Sequence, residues 1–313
     1  MIDLAAKQLN SILDWSHTEL VRRPDGAPQV ITALSRELRQ MKLHQTGQKW
    51  MATIAQCRNH PLRLLLHEDP LTQRAYTQPR GYQGDAELLD IIYRKDWRGL
   101  CGRPVSPLGE AIFRHTIQCK APQAVRTRAD ILATTIDEVS RLRPSPHIFS
   151  VACGHLREAL KAESFRSGAV GRFVGLDHDA LSLKVVEQDL GPLTVETVQG
   201  SVKLILNGAF GEDKFDFIYA AGLYDYLQDR FARRLTEKLF GMLRAGGRLL
   251  VANYLPSIED VGFMEAYMNW QLIYRDADAM RQLADGIPES EKVSCEINHA
   301  AEDTIVLMRL DRV

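Results

Sequence analysis

His147-Ile-Phe-Ser-Val-Ala-Cys-Gly154 decides the fold of this 313-residue chain, together with Asp177 further along. Its apolar residues predict a buried strand, Cys153-Gly154 predicts a tight turn, and a helix is expected from Leu156. A second apolar run, Arg172-Phe-Val-Gly-Leu176, ends at Asp177. An α/β sheet holds an adenosine in this way, because the backbone of the turn approaches the ligand while the carboxylate at the next strand tip binds the ribose hydroxyls. Gly154 and Asp177 together therefore predict an adenosine-containing cofactor.

The chain after Pro146 alternates short strands with helices. Strands are predicted at 147–152, 172–177, 193–199, 215–220 and 247–253, and helices between them at 155–165, 179–189, 201–207 and 229–243. This alternation predicts a parallel sheet with right-handed crossovers. Two later β-rich runs, Lys292–Asn298 and Thr304–Leu310, have a short connection that predicts an antiparallel pair at one sheet edge. The predicted fold class is α/β, a Rossmann-like doubly wound sheet of seven strands, five parallel and two in a terminal antiparallel hairpin.

The N-terminal part of the chain has a helical pattern instead. Apolar residues recur at helical spacing in 4–21 and 30–41, whereas prolines and glycines predict a loop over 69–85. The predicted domains are a helical cap or lid over 1–122 and a cofactor-binding domain over 123–313, which begins with a linking helix at 123–142.

Composition excludes several classes of protein. The formal net charge is −1, so the chain carries no basic footprint for nucleic acid. The five cysteines form no C-x-x-C pair and the nine histidines are dispersed, so neither a disulfide framework nor a metal site is expected. Without a membrane-spanning run or a signal-peptide pattern, we expect a soluble, cytoplasmic protein. Its expected partner is a small molecule. Binding to nucleic acid and insertion into a membrane are not expected, and the sequence leaves open whether the protein forms a homodimer.

The C-terminal half resembles the class I S-adenosylmethionine-dependent methyltransferases. Their first motif usually reads acid-x-G-x-G-x-G, where this chain has Ser150-Val-Ala-Cys-Gly-His-Leu156, with Ser150 for the acid and only the central glycine. Val174-Gly-Leu-Asp-His-Asp179 fits the second motif, Gln199-Gly-Ser-Val202 the segment beside adenine, and Phe215-Asp-Phe-Ile-Tyr-Ala-Ala-Gly222 the fourth strand with its loop. The resemblance implies S-adenosyl-L-methionine as cofactor and S-adenosyl-L-homocysteine as product. The residues that it implies as cofactor ligands are Ala152, Cys153, Gly154, Asp177, His178, Gly200, Ser201, Val202, Ala220 and Ala221.

Four segments from both halves of the chain are similar to one bacterial subgroup of these enzymes. They are Arg80-Gly-Tyr-Gln-Gly-Asp-Ala-Glu-Leu-Leu-Asp-Ile-Ile-Tyr93, Ser150-Val-Ala-Cys-Gly-His-Leu-Arg-Glu158, Ala221-Gly-Leu-Tyr-Asp-Tyr-Leu227 and Asn269-Trp-Gln-Leu-Ile-Tyr-Arg-Asp276. That subgroup is often labelled as making the methyl ester of 3-hydroxypalmitic acid, an extracellular signal. The resemblance implies a role in small-molecule biosynthesis.

Methyl transfer from a sulfonium is an in-line displacement, in which the protein chiefly aligns the nucleophile, the methyl group and the sulfur. A carboxylate acceptor is already ionised at neutral pH, whereas a hydroxyl acceptor needs a base. The candidate catalytic residues beside the predicted crevice are Tyr224, His155 and Asn253. The candidate substrate-binding residues are aromatic or cationic: Tyr82, Tyr224, Tyr226, Tyr254, Trp270, Tyr274 and Arg275. Arg275 is included because a guanidinium can hold a carboxylate with two parallel hydrogen bonds.

Structural interpretations stay open for several of these residues. Tyr224 could pack on the core, and Arg275 could pair with a neighbouring aspartate. The Met- and aromatic-rich stripe that includes Trp270 could be core, and Arg80–Asp85 could be an ordinary turn or a lid. Cys153 is interpreted as a small packing residue rather than a nucleophile.

The leading hypothesis is a small-molecule methyltransferase with an oxygen acceptor, preferably a carboxylate. A nitrogen acceptor is the close variant. A protein that binds S-adenosylmethionine without methylating anything, with a helical half that binds a partner, is the second class. A nucleic-acid methyltransferase is disfavoured by the nearly neutral charge.

Overall fold

Two units of different architecture make up the chain. The computed structural model describes residues 2–191, 195–212 and 214–313. One unit comprises Met1–Val125 with Ile258–Gln271, and the other Arg126–Ser257 with Leu272–Val313. The segment Ile258–Gln271 therefore packs with the helical unit, whereas the sequence placed it in the sheet domain. We describe each unit by itself.

The first unit is helical. Its helices are α1 (Ile2–Arg22), α2 (Ala27–His44), α3 (Gln48–Asn59), α4 (Leu62–Leu66), α5 (Pro70–Thr77), α6 (Ala86–Arg94), α7 (Pro107–Thr116) and the start of α8 (Lys120–Leu142). The predicted loop over 69–85 is wrong at its beginning, because α5 lies there. The Asp69 side chain accepts hydrogen bonds from the N–H groups of Leu71 and Thr72, and Pro70 occupies the first turn. Proline is suited to the first helical position, where no N–H donor is needed.

The second unit contains one sheet of seven strands. They are β1 (His147–Val151), β2 (Arg172–Asp177), β3 (Val195–Gln199), β4 (Phe215–Ala220), β5 (Leu243–Tyr254), β6 (Lys292–Ala300) and β7 (Ile305–Arg312), in the spatial order β3-β2-β1-β4-β5-β7-β6. The first five are parallel, whereas β7 runs antiparallel to β5 and to β6. The predicted seven-stranded sheet, with five parallel strands and a terminal antiparallel hairpin, is thus confirmed. Residues 193 and 194 of the predicted third strand lie outside the described residues.

Helices cover both faces of this sheet. They are α8, α9 (Arg157–Lys161), α10 (Glu163–Arg166), α11 (Ala180–Leu190), α12 (Lys203–Leu206), α13 (Asp229–Gly241) and α15 (Ala277–Gln282). The remaining helix, α14 (Val261–Tyr267), belongs to the helical unit. Side chains alternate between two cores, as the strand period requires. In β1, Phe149 and Val151 enter one core and Ile148 the other. No helix in the described part of the chain combines the length and apolarity that crossing a bilayer requires.

The strand order reverses between β1 and β4. From β1 the chain proceeds outward to β2 and β3, and from β4 it proceeds outward to β5 on the other side. In open α/β sheets, ligands bind at the carboxyl ends of the strands beside such a switch point. The sites of interest are therefore the loops that follow β1 and β4.

Candidate functional site

The residues implied as cofactor ligands lie at the tips of four neighbouring strands. Ala152–Gly154 follow β1, Asp177 ends β2, Gly200–Val202 follow β3, and Ala220 ends β4. Because these strands are parallel and adjacent, their carboxyl ends meet at one sheet edge. The structure therefore brings this set together, and the contacts of its members with a cofactor stay a prediction.

The turn after β1 keeps the backbone of a glycine-rich loop without its outer glycines. Ala152, Gly154 and Leu156 have φ values of 56°, 54° and 53°, and these are the three positions of the glycines in the usual motif. A left-handed conformation costs about 1–2 kcal/mol for a residue with a Cβ atom. The side chain of Leu156 is buried in the sheet core, which offsets part of this strain. The departures at Ala152 and Leu156 thus change the side chains but not the turn.

Asp177 joins the tips of three strands. Its Oδ2 accepts a hydrogen bond of 2.8 Å from the N–H of Gly154, and its carbonyl oxygen accepts one of 2.8 Å from Gly200. Oδ1 accepts from the N–H of Asp179 at 2.9 Å and lies 3.3 Å from Nδ1 of His178. A carboxylate oxygen offers about two acceptor positions, so Oδ2, which accepts one hydrogen bond from the protein, can take a further donor such as a ribose hydroxyl. The geometry fits the role predicted for this residue.

Cys153 is a packing residue in this turn. A Cβ atom placed on Gly175 of β2 would lie only 3.1 Å from the Cys153 Sγ atom, so the thiol lies directly against the neighbouring strand. Burial raises the pKa of this thiol well above its usual value, and the carboxylates of Asp177 and Glu158 raise it further. A thiol held in its neutral form is a poor nucleophile, which agrees with the structural interpretation.

Tyr224 and Asn253 are buried structural residues, which corrects their predicted catalytic roles. The Tyr224 hydroxyl lies 2.9 Å from Oγ1 of Thr236 in the core, and burial raises its pKa. The Asn253 amide donates to the carbonyls of Tyr254 and Ile273, while its oxygen accepts from the Arg275 side chain. Both N–H donors of the Asn253 amide are therefore used by protein carbonyls.

Arg275 also differs from its prediction as an acceptor-binding residue. Its guanidinium is 2% exposed and donates to the carbonyls of Tyr224 and Leu227, to Oδ1 of Asn253 and to Oδ1 of Asp229. It pairs with Asp229 rather than with either neighbouring aspartate suggested by the sequence. Arg275 thus fixes the loop after β4 instead of presenting donors to a ligand.

The other candidates are distributed over both units. In the sheet unit, His155 and Tyr254 are buried, Tyr274 is half-buried, and Tyr226 and His178 are exposed. Tyr82 and Trp270 lie in the helical unit, where Trp270 is buried and lines a narrow apolar cleft with Phe263, Met264 and Met268. This agrees with the core interpretation of the Met- and aromatic-rich stripe.

Sequence reasoning missed two of the three buried charged residues beside the switch point, Arg128 and Glu158; the third, Asp225, lies in the segment Ala221–Leu227 that the resemblance singled out. Arg128 on α8, Glu158 on α9 and Asp225 in the loop after β4 are each at most 6% exposed. Arg128 could have been found, because it occupies the apolar face of its helix, between Val125 and Leu132 at helical spacing. Charged side chains are almost never fully buried in a protein unless they interact with a polar or charged group.

Burial raises the pKa values of both carboxyl groups in this set. For Asp225 the value rises to about 6, and the Arg128 guanidinium opposes this rise. For Glu158 the pKa is also raised by burial, while the hydrogen bond from the Tyr219 hydroxyl, at 2.7 Å, and the charge of Arg128 act in the opposite direction. Both groups therefore titrate closer to neutrality than exposed carboxylates do.

No protein-family model and no curated protein sequence matches the chain. Among solved structures, the chain is similar to a Bordetella parapertussis protein described as a possible exported protein, with 17% identity and a TM-score of 0.61 over 93% of this chain and 97% of that one. It is also similar to magnesium protoporphyrin IX methyltransferase (ChlM) from Synechocystis PCC 6803 with bound S-adenosylhomocysteine, at 8% identity and a TM-score of 0.46 over 62% of this chain and 87% of that one. A third is the N-methyltransferase NodS from Bradyrhizobium japonicum WM9 in complex with the same product, at 15% identity and a TM-score of 0.43 over 60% and 87%. The Bordetella similarity shows a shared fold over nearly the whole chain, and the two lower scores carry no conclusion about activity.

Proposed function

We propose that this protein is an S-adenosylmethionine-dependent methyltransferase that acts on an oxygen atom of a small-molecule acceptor. The observation that carries the proposal is the buried carboxylate of Asp177, bound to the N–H of Gly154 in the left-handed turn beside the switch point. The seven-stranded order with its terminal antiparallel hairpin supports a methyl donor over a dinucleotide.

The protein's own residues would bind and orient the two reactants. When bound, the cofactor would supply a methyl group on a positively charged sulfur. Asp177 would hold the ribose, and the backbone of Ala152–Gly154 would contact the adenosine side of the ligand. Two residues immobilise the loop after β4. The Arg275 side chain donates to the carbonyls of Tyr224 and Leu227, and Asp225 accepts from the N–H of Tyr254 through Oδ1 and from the N–H of Ile273 through its backbone carbonyl. A rigid loop there would align an acceptor for in-line displacement, for which geometry matters more than a chemical group.

A carboxylate is the acceptor that these residues favour. The hydroxyls of Tyr219 and Tyr224 cannot serve as bases near neutral pH, because burial raises both pKa values. A carboxylate acceptor needs no base, whereas for a hydroxyl acceptor His155 and Asp225 would be the candidates to accept the proton. The resemblance of four segments to one bacterial subgroup makes 3-hydroxypalmitic acid the first acceptor to test. We also propose that the helical unit acts as a cap, with a partner-binding role as the alternative.

The cofactor half of this proposal is tested by calorimetric titration with S-adenosylhomocysteine. We expect binding to the wild-type protein and at least about 30-fold weaker binding to Asp177→Ala, because a charge-assisted hydrogen bond to ribose is lost. Asp278→Ala is the matched control, since that carboxylate is 86% exposed on the short helix α15. Undiminished binding by Asp177→Ala, or none by the wild type, sinks the proposal.

The acceptor half is tested by mass spectrometry with a deuterated methyl donor. We expect a mass gain at the carboxyl group of 3-hydroxypalmitic acid, lost on mild ester hydrolysis. Methylation of amines alone would shift the proposal to a nitrogen acceptor. Tight cofactor binding without turnover on acids, alcohols and amines would favour a binding protein that does not methylate.

A further inference from the structure

A polar cavity lies within the helical unit, and its lining residues include none of those predicted to bind the cofactor. The cavity has a volume of about 330 Å³ and is lined by α2, by the end of α7 and by the segments 118–120 and 259–260. All of these belong to one compact unit, in which α2 packs against α7 and α14. Sites for small molecules have volumes of about 300–1,000 Å³. The cavity is therefore large enough for a small organic ligand.

Three cationic side chains line this cavity. Arg36 and Arg39 are three positions apart in α2, so both lie on one face of that helix. Lys120 is the first residue of α8, whose backbone dipole makes this end of the helix positive. Arg39 and Lys120 are half-buried, and charges interact more strongly there than in bulk water. Positive charge therefore reaches the cavity from two helices.

Two carboxyl groups also line the cavity, and they differ in their surroundings. Asp260 is buried, and its Oδ2 accepts a hydrogen bond of 2.7 Å from the N–H of Ala121 in the first turn of α8. Glu259, in contrast, is exposed, so its carboxylate can accept a hydrogen bond from a ligand hydroxyl. Three cations against two carboxylates leave the lining with a net positive charge. Such a cavity attracts an anion.

Neutral hydrogen-bonding groups complete the lining, namely Thr32, Ser35, His115 and Gln118. The Thr32 hydroxyl donates to the carbonyl of Pro28 at 2.7 Å, and its oxygen lies 3.4 Å from Nε2 of His115. Burial lowers the pKa of His115, so its imidazole is neutral at pH 7. Hydroxyl, amide and neutral imidazole groups each offer donors and acceptors, which is what a hydroxylated ligand requires.

We propose that this cavity binds the phosphate monoester of a hydroxylated small molecule, such as a sugar phosphate. Arg36, Arg39 and Lys120 hold the phosphate, since it presents three acceptor oxygens to three cationic side chains. A guanidinium binds such oxygens with parallel N–H donors, whereas the ammonium group adds a compact charge. Glu259 and Gln118 accept hydrogen bonds from the hydroxyl groups of the ligand. The helical unit thus has a ligand of its own, and this inference goes beyond the proposed methyl transfer without resting on it.

Calorimetric titration of the full-length protein with ribose 5-phosphate tests this site. We expect binding at least about 10-fold tighter than that of inorganic phosphate, which lacks the sugar hydroxyls, and of ribonate, whose carboxylate has only two oxygens. Arg36→Gln combined with Arg39→Gln should weaken ribose 5-phosphate binding at least about 30-fold, because two charge-assisted contacts are lost. The matched control combines Arg22→Gln with Arg23→Gln, which removes the same charge from exposed arginines of the same unit. It should change the affinity less than about 3-fold, since exposed distant charges are screened.

Three results would overturn the proposal. The first is that the wild type does not bind ribose 5-phosphate at concentrations up to about 10 mM. The second is a preference of the wild type for ribonate or inorganic phosphate, which would refute the phosphate ester as ligand. The third is equal binding by the Arg36→Gln/Arg39→Gln variant, which would locate the ligand elsewhere. Circular dichroism verifies that both double variants fold, and the comparison of the three ligands on the wild type decides the proposal without any variant.

Discussion

Asp225 is a buried carboxyl group whose protonation state bears on stability. Burial raises its pKa from 3.8 to about 6. The folded protein therefore binds this proton more tightly than the unfolded chain does, so folding is favoured below pH 4 and this advantage is lost as the pH rises to about 6. The shift corresponds to roughly 3 kcal/mol, since one pKa unit is about 1.4 kcal/mol.

We predict that Asp225→Asn removes this pH dependence, because the amide stays neutral at every pH. The free energy of unfolding of the wild type minus that of the variant should fall by about 2 kcal/mol between pH 4 and pH 7, because the unfolded aspartate is already partly ionised at pH 4. Urea unfolding at several pH values measures this difference, in which Asp69 and Asp260, whose pKa values are also raised to about 6, cancel. Asp278→Asn should give a flat difference. A difference that rises with pH would mean that Asp225 is stabilised as a carboxylate.

At the scale of elements, one side chain fixes the loop between β4 and α13. Arg275 donates to two carbonyls of that loop and to Asp229 at the start of α13. Removal of a buried donor leaves these carbonyls without a partner, at a cost of about 1–3 kcal/mol each. We predict that Arg275→Gln lowers the free energy of unfolding by about 2–4 kcal/mol and speeds hydrogen exchange in residues 222–228. Arg281→Gln, with an exposed side chain on α15, is the control. Unchanged exchange in that loop would contradict the structural role of Arg275.

The elements of the sheet could be predicted because each one has a local signal. Apolar runs predicted the strands, and the short connection between the last two predicted their antiparallel pairing. Helix α5 was missed because Pro70 was interpreted as a helix breaker, although Asp69 before it supplies the cap. The position of Ile258–Gln271 has no local signal, since it is set by contacts with distant helices. Glu265, for example, accepts hydrogen bonds from Trp50 and Lys42, and Arg58 donates to its carbonyl.

The residues of the candidate site also divide into those with a local sequence signal and those whose role is set by distant contacts. Gly154 and Asp177 could be predicted together, because parallel strand order brings their tips to one edge. The structural role of Arg275 could not, since Asp229 lies 46 positions earlier in the chain. Arg128 is intermediate, because its position on the apolar side of a helix predicts that it is buried but does not predict which residues lie beside it.

At the scale of the whole molecule, the sheet unit is interrupted by a segment of the helical unit. Ile258–Gln271 leaves after β5 and returns at Leu272, and its side chains Phe263, Met264 and Tyr267 are buried. A simple truncation to 126–313 would expose this apolar segment, so its failure to fold would not test the role of the helical unit. The informative fragment carries a Gly/Ser linker of equal length in place of Ile258–Gln271.

We predict that this linker fragment folds and binds S-adenosylhomocysteine but does not methylate, because the four strand tips remain while the cap is absent. Circular dichroism, size-exclusion chromatography and calorimetry measure folding and binding, and the deuterated donor assay measures turnover. The same fragment with the native segment should be less soluble, since burial of that segment requires the helical unit. Turnover by the linker fragment at the full-length rate would show that the helical unit is no part of the catalytic machinery. That result would favour its alternative role as a surface for a partner protein.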